Sequence, residues 1–458
     1  MNTTPTSTFA DELHALFGDR ATRDQTVRND HGTGFSYHAC TPPDYVVFPH
    51  STDEVSALVR LCGRYGVPIV PYGAGTSVEG HILAVRGGVC VDLRHLNQVL
   101  EIREADLCAT VQAGVTRNQL DERLEGTGFF FPIGPGVNAT LGGMAANRSS
   151  GTNAVRYGTM RENVLALTVV LPSGRIIRTG SKAKKSSTGY DLTRLFVGSE
   201  GTLGIITELT VRLYPVPDVT RTAITAFPGV DAAVNVAIQT IQQGVPIAKI
   251  ELLDAQIMRA INRLEGTTYP EKTTLFLEFN GTAQHVREQI ETVEAIARSL
   301  GAEQFVWETD AASRRRLWAI RTNAASAAQG LLPGCGVMST DVCVPISRLA
   351  DCLRDTEADI AASGLLAPVL GHVGDGNFHL AILIPPDDPE TLQRAKDLNA
   401  RLVRRALQME GTASGEHGIG VGKQPYMALE HGPALDVMRS IKAALDPAGI
   451  MNPGKLLP

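Results

Sequence analysis

The sequence predicts an α+β protein of two or three domains, and three observations carry that prediction. The chain has 458 residues, too many for a single core at roughly 150 residues per domain. Its first half alternates short apolar strands and capped helices with Gly-rich loops, and Gly totals 45. After Pro215-Val216-Pro217-Asp218 the strands and helices lengthen and alternate regularly, which fits an α+β unit on a mixed or antiparallel sheet.

Taken in order, residues 9–17 read as a short amphipathic helix and 45–48 as a strand. Ser51 and Glu54 have the spacing of a capping box, opening a helix that runs to about Gly66. A strand at 67–71 leads into Tyr72-Gly73-Ala74-Gly75-Thr76-Ser77. A dinucleotide fingerprint would need Gly at position 78, where Val stands, and no good helix follows. The loop therefore offers backbone N–H groups without a dinucleotide-binding helix. Strands follow at 89–93 and 108–112, and Thr116 with Gln119 opens a second capping-box helix.

Residues 132–158 read PIGPGVNATLGGMAANRSSGTNAVRYG, with six Gly, two Pro and no charge before Arg148. Thr140 is placed to cap a helix beginning at Leu141, and free N–H groups at such a start suit a phosphate. The stretch reads either as the cradle of a buried nucleotide-type ligand or as a tight crossover between packed elements. Residues 164–171 and 175–179 form an expected hairpin about Pro172-Ser173-Gly174. A second Gly-punctuated loop spans 195–204 and runs into a strand at 205–214.

Beyond the boundary, strands at 222–227, 247–252 and 274–279 alternate with helices at 230–243, 254–264 and 283–300. A helix at 310–329 carries Arg314, Arg315, Arg316 and Arg321, followed by a strand at 337–344 and a helix at 346–363. Residues 371–379 read GHVGDGNFH. Gly374-Asp375-Gly376-Asn377 forbids a helix there, so a hairpin brings His372 and His379 to one end of a sheet. Residues 414–423, SGEHGIGVGK, add Glu416 and His417. Two imidazoles and a carboxylate would leave coordination positions open for substrate, as in a catalytic metal site. Asp375 competes as a ligand. The apolar Ile450-Met451 predicts that the C-terminus docks back on the body.

The net charge of −6 gives no basic field for nucleic acid. The seven Cys show no C-x-x-C pair, which argues against Cys-based metal sites and fits a reducing compartment. No basic region followed by an apolar core opens the chain, and no run of about 18 apolar residues occurs. The expected location is cytoplasmic, compatible with peripheral contact at the inner face of a membrane.

The stretches PYGAGTSVEGH, TLGGMAANRSSGTNAVRYGTMREN, KSSTGYDLTRLFVGSEGTLGIITE, STDVCVPIS, GHVGDGNFH, GEHGIGVGK and MNPGK occur in this order. Together they resemble the flavin-dependent D-2-hydroxyacid dehydrogenases, which share the flavin fold of p-cresol methylhydroxylase (PCMH) and vanillyl-alcohol oxidase. The resemblance runs from about Pro42 to Leu456 and is closest to the cytochrome-linked D-lactate dehydrogenases. It implies a PCMH-type FAD-binding domain of two α+β subdomains and an α+β substrate (cap) domain with a mainly antiparallel sheet. The implied bounds are 1–40 for an N-terminal helical segment, 41–217 for the FAD domain, 218–435 for the substrate and metal domain, and 436–458 for a segment returning to the flavin.

The resemblance further implies non-covalent FAD on Pro71, Gly73, Ala74, Gly75, Thr76, Ser77, Pro135, Gly136, Thr140, Gly142 and Gly143. Ser150, Gly151, Asn153, Glu200, Gly204, Ile205, Ile206 and Asn452 complete that set. It implies a divalent metal, zinc or manganese, on His372, His379 and Glu416, with His417 as catalytic base and Arg321 as the anchor of the substrate carboxylate. Relatives acting on D-2-hydroxyglutarate carry a Lys and an Asn where Ser339 and Ala381 stand here, which favours a small substrate such as D-lactate. Electrons would pass to cytochrome c, a quinone or an electron-transfer flavoprotein rather than NAD. Competing expectations are a D-2-hydroxyglutarate dehydrogenase, the FAD subunit of a glycolate oxidase, a non-catalytic flavin-binding subunit, and a metal-dependent hydrolase without flavin.

Overall fold

The computed structural model describes residues 8–308 and 310–458. The chain divides into two compact units. One comprises Met1–Ser149, Thr159–Pro215 and Glu416–Pro458, and the other Ser150–Gly158 and Val216–Gly415.

In the first unit, the helix Thr52–Tyr65 starts where Ser51 Oγ accepts Glu54 N at 3.2 Å and ends at Gly66 in the left-handed region. The expected return half of the box is missing. The Glu54 carboxylate accepts instead from His50 N at 2.7 Å and from the Arg20 guanidinium at 2.6 and 2.8 Å, because a charged donor binds a carboxylate more strongly than a neutral amide. At Thr116 the box closes in both directions. The Val55, Leu58, Val59 and Cys62 face packs in a core with the strands Tyr45–Val47, Val89–Asp92 and Ile69–Tyr72. These three strands are parallel, with Ala21–Thr22 antiparallel at one edge. At the other edge Met451 bridges Ile69 in parallel, and Ile450 and Met451 are buried in the same core. The expected docking of the C-terminus is therefore present.

A second sheet of this unit has five antiparallel strands in the order Val99–Arg103, Cys108–Gln112, Ile205–Arg212, Val164–Val170 and Ile176–Gly180. Leu141, Met144 and Ala145 of the helix Leu141–Asn147 share its core with Val111, Val169 and Leu209.

The second unit is built on eight strands, and every pairing is antiparallel. The order is Val306–Glu308, Val219–Phe227, Thr273–Gly281, Lys249–Leu253, Val369–Gly371, Asn377–Ile384 and Gly336–Ser339, with Val342–Cys343 also on Asn377–Ile384. Asn377–Ile384 is buried at every residue, as in a strand covered on both faces.

Three further features differ from the sequence expectation. The helix at 310–329 is two helices, Ala311–Thr322 and Ala324–Gln329, meeting at Asn323. Thr and Asn are poor helix formers, and the break falls on that pair. The strand at 337–344 is interrupted at Thr340-Asp341, between Gly336–Ser339 and Val342–Cys343. There the Thr340 hydroxyl takes the Leu380 N–H at 2.9 Å, replacing a ladder bond with a side-chain one. A helix of 20 residues, Pro389–Gln408, stands where the sequence reading assigned none. Asp388 caps it through Thr391 N at 2.9 Å, and Ala395, Leu398, Leu402 and Ala406 form its buried stripe. No helix among the described residues is long and apolar enough to cross a membrane.

Candidate active site

The Gly-rich stretches of the first unit meet. The Gly73-Ala74-Gly75-Thr76-Ser77 loop leaves the end of strand Ile69–Tyr72, which contains Pro71. A Cβ on Gly73 would lie 2.3 Å from Thr140 Oγ1, so only Gly permits this approach of backbone to helix start. Thr140 caps Leu141–Asn147 by accepting Gly143 N at 3.3 Å, with Gly142 and Gly143 in the first turn. Pro135 and Gly136 lie on the loop before it. Glu200 N donates to Ala146 O at 2.9 Å near the end of the same helix. Gly204 precedes Ile205 and Ile206, the first residues of strand Ile205–Arg212. Asn452 joins them, its N on Ile69 O at 2.8 Å and its Nδ2 on Glu200 O at 2.7 Å.

This cradle fits a large polar cofactor. Ser77 Oγ and Ser199 Oγ are buried without a hydrogen-bond partner, and buried hydroxyls ordinarily find one. The Glu200 carboxylate is otherwise engaged. Burial alone would push it up, but His81 and the N–H groups of Ile419 and Gly420 outweigh burial and hold it below the usual carboxylate range. Ser150, Gly151 and Asn153 belong to the second unit, where they lead into the short helix Ala154–Tyr157.

In the second unit the expected hairpin forms, Val369–Gly371 against Asn377–Ile384, with His379 opposite Leu370. The His372 and His379 rings stand edge to face, 5.5 Å between centroids, and both are buried. His372 Nδ1 lies 2.8 Å from Glu251 Oε1, and His379 Nδ1 lies 3.0 Å from Thr340 O. Both partners are acceptors, so each Nδ1–H donates and fixes the orientation of its ring. Orienting a ligand imidazole through its other nitrogen is the usual second layer of a metal site. The donor set therefore fits a divalent cation.

Arg321 is buried in the last turn of Ala311–Thr322 and its Nη2 contacts Glu251 Oε2. Glu251 thus joins Arg321 to His372. Burial would raise the Glu251 carboxyl, but His372 and Arg321 outweigh burial and hold it below the ordinary value. Arg321 Nε is buried without a hydrogen-bond partner, which suits an anionic ligand. Glu416 and His417 open the last segment of the first unit, and both are half-buried.

Sequence reading missed two carboxylates that organise the second unit. Glu251 sits inside the apolar strand Lys249–Leu253, and a charge in such a strand was the available signal. Asp341 is fully buried and accepts Asn377 Nδ2 at 2.8 Å and Ser414 Oγ at 2.8 Å, with His379 Nδ1 3.6 Å away. It stands in STDVC, and nothing in that spacing points to a histidine 38 residues on.

Comparison with known proteins places these units. A family model described as FAD binding domain matches residues 43–180, and one described as FAD linked oxidases, C-terminal domain matches residues 216–456. The chain is 51% identical over 435 residues to a probable mitochondrial D-lactate dehydrogenase of Danio rerio, covering 94% of this chain and 88% of that protein. It is 46% identical over 450 residues to the mitochondrial D-lactate dehydrogenase [cytochrome] of Arabidopsis thaliana, covering 98% and 79%. The crystal structure of p-cresol methylhydroxylase with substrate bound superposes with a TM-score of 0.77 at 18% identity, covering 98% of this chain and 96% of that one. At that identity the likeness shows the shared fold.

Proposed function

The chain belongs to the FAD-linked oxidase family, and from that premise we propose that it oxidises D-lactate to pyruvate. FAD is its cofactor, and an external acceptor removes the electrons, with cytochrome c the first candidate and a quinone or an electron-transfer flavoprotein the others. The observation that carries the reading is the pair of buried imidazoles with both Nδ1 atoms tied, beside the Arg321–Glu251 pair.

In this proposal Arg321 binds the substrate carboxylate. Its contact with Glu251 fixes the guanidinium plane, so the rest of the fork is presented in one orientation. Holding the carboxylate orients the α-carbon before reaction, which lowers the entropic part of the barrier. Neutral His417 takes the hydroxyl proton, a role worth roughly 10²–10⁴-fold in rate. FAD, when bound by the Gly73, Thr140–Gly143 and Glu200–Ile206 segments, supplies the hydride acceptor. His372, His379 and Glu416 would hold a zinc or manganese ion, which would supply Lewis acidity.

The substrate's size is supported by one strand pair. Ser339 and Ala381 stand directly opposite each other in the register of Gly336–Ser339 and Asn377–Ile384. Neither offers a cation or an amide to a second carboxylate, which favours a monocarboxylate.

An anaerobic visible spectrum tests the proposal. D-lactate should bleach the oxidised flavin, and L-lactate, glycolate and D-2-hydroxyglutarate should do so far more slowly. Bleaching by another 2-hydroxy acid alone would overturn the substrate. Dialysis against a strong chelator should abolish flavin reduction while FAD stays bound. Full activity in protein shown by elemental analysis to lack metal would remove the metal from the scheme.

A further inference from the structure

The loop that carries His417 is seated on a buried charge. Ile419 N donates to Glu200 Oε1 at 2.7 Å, and Gly420 N donates to Glu200 Oε2 at 2.9 Å. Successive N–H groups turned to one side form a concavity for an anion, and here the anion belongs to the chain itself. His81 Nε2 lies 3.3 Å from Glu200 Oε2 on the other side. Gly418, the residue after His417, has φ +80, and a Cβ there would meet His81 Nε2 at 2.7 Å and Glu200 Oε1 at 2.8 Å. The backbone beside His417 therefore rests directly on this pair. Two residues before His81, Glu79 O accepts Val421 N at 2.8 Å and Gly422 N at 3.3 Å, so the downstream end of the loop is pinned to the same stretch.

Glu200 is itself held without slack. Its N bonds Ala146 O and its O accepts Asn452 Nδ2. Its φ is 53, in the left-handed region. A residue with a side chain persists there only where its surroundings over-determine it. A fully buried carboxylate is costly unless paired and hydrogen-bonded, and this one pairs with His81 and accepts from Ile419 N and Gly420 N.

We infer that Glu200, paired with His81, is a positioning residue that sets the backbone of residues 418–420 and through it the orientation of the His417 imidazole. The inference rests on the reading of His417 as the base. Glu200→Gln tests it with little change of shape. A Gln amide keeps one acceptor and turns a donor toward the other N–H, so one of the two anchoring bonds becomes repulsive.

The experiment compares FAD-loaded wild type, Glu200→Gln, His417→Ala and the double variant. FAD per chain comes from flavin absorbance, and kcat and KM from D-lactate turnover. Glu200→Gln should keep FAD and lose kcat roughly 10- to 100-fold, the scale of a misplaced group, with KM changed by about threefold at most. In the His417→Ala background the same substitution should change the residual rate by less than about twofold, because residues acting as one unit are not additive. Equal losses in both backgrounds, or loss of FAD in step with rate, would overturn the inference and make Glu200 a general structural or cofactor residue. A slow His417→Ala with a fully active Glu200→Gln would remove the positioning role alone. Near-normal turnover by His417→Ala would remove the base assignment and the inference with it. Should Glu200→Gln fail to fold, His81→Gln replaces it. It leaves the two N–H bonds in place and should show the same dependence on His417 with a smaller drop.

Discussion

Arg321 and His372 approach one buried carboxylate from two sides, and that residue, Glu251, decides what each can do. It fixes the orientation of the His372 ring and holds one nitrogen of Arg321. Arg321→Met would leave Glu251 buried with one partner lost. Removing one member of such a pair costs about 3–5 kcal/mol, so the urea midpoint should fall markedly and D-lactate turnover should be lost. Glu251→Gln in the Arg321→Met background should recover part of the stability and none of the turnover. Failure to recover any would mean that burial of the charge is not what destabilises. The residues proposed for direct chemical roles stand out in the sequence by their type, two His at a Gly turn and a Glu-His pair, or through the family resemblance, as Arg321 does. Asp341 and His81 were not legible, and Glu251 was marked only as a charge inside an apolar strand. Each acts on a residue far away in sequence, and only folding sets the distance.

At the scale of elements, the interruption at Thr340-Asp341 matters more than the strand it breaks. A continuous strand would commit Thr340 to the ladder. The break frees its carbonyl for His379 and its hydroxyl for Leu380. Just before the break, Ser339 faces Ala381 across the sheet, and opposed side chains in an antiparallel pair are close enough to act together. Ser339→Lys with Ala381→Asn should raise kcat/KM for D-2-hydroxyglutarate relative to D-lactate by roughly 10-fold or more, the worth of one charge-assisted hydrogen bond. An unchanged ratio in steady-state competition would show that this pair does not select the substrate. Hydrophobic periodicity located most elements, and cap chemistry marked the helix starts after Ser51, Thr116 and Thr140. The exceptions are instructive: the box at Ser51 lost its carboxylate to Arg20, a partner 34 residues away, and local spacing carries no sign of such competition.

At the scale of the whole molecule, the C-terminal segment closes the first unit through buried charge as well as apolar packing. Lys455 is buried, its Nζ donating to Leu83 O at 2.5 Å, and burial lowers it to about 8 from the ordinary 10.5, with Glu200 opposing the shift. Between those two values the unfolded chain holds a proton that the folded chain has released, so stability from this group rises with pH. It is lost as pH falls through about 8. The thermal midpoint of wild type relative to Lys455→Met should therefore climb from pH 7.5 toward pH 10 by roughly a few degrees. A flat difference across that range would place the proton elsewhere. By itself the sequence determined the fold class, the Gly-rich cradle, the paired histidines and the return of Ile450-Met451 to the core. Those depend on periodicity, backbone freedom and residue chemistry, which act over a few neighbours. Only the tertiary structure decided that Glu251 joins Arg321 to His372, that Thr340 orients His379, and that Glu200 turns to the loop bearing His417. A buried charge takes whichever partner folding brings within about 3 Å, and the order of residues along the chain does not state which that is.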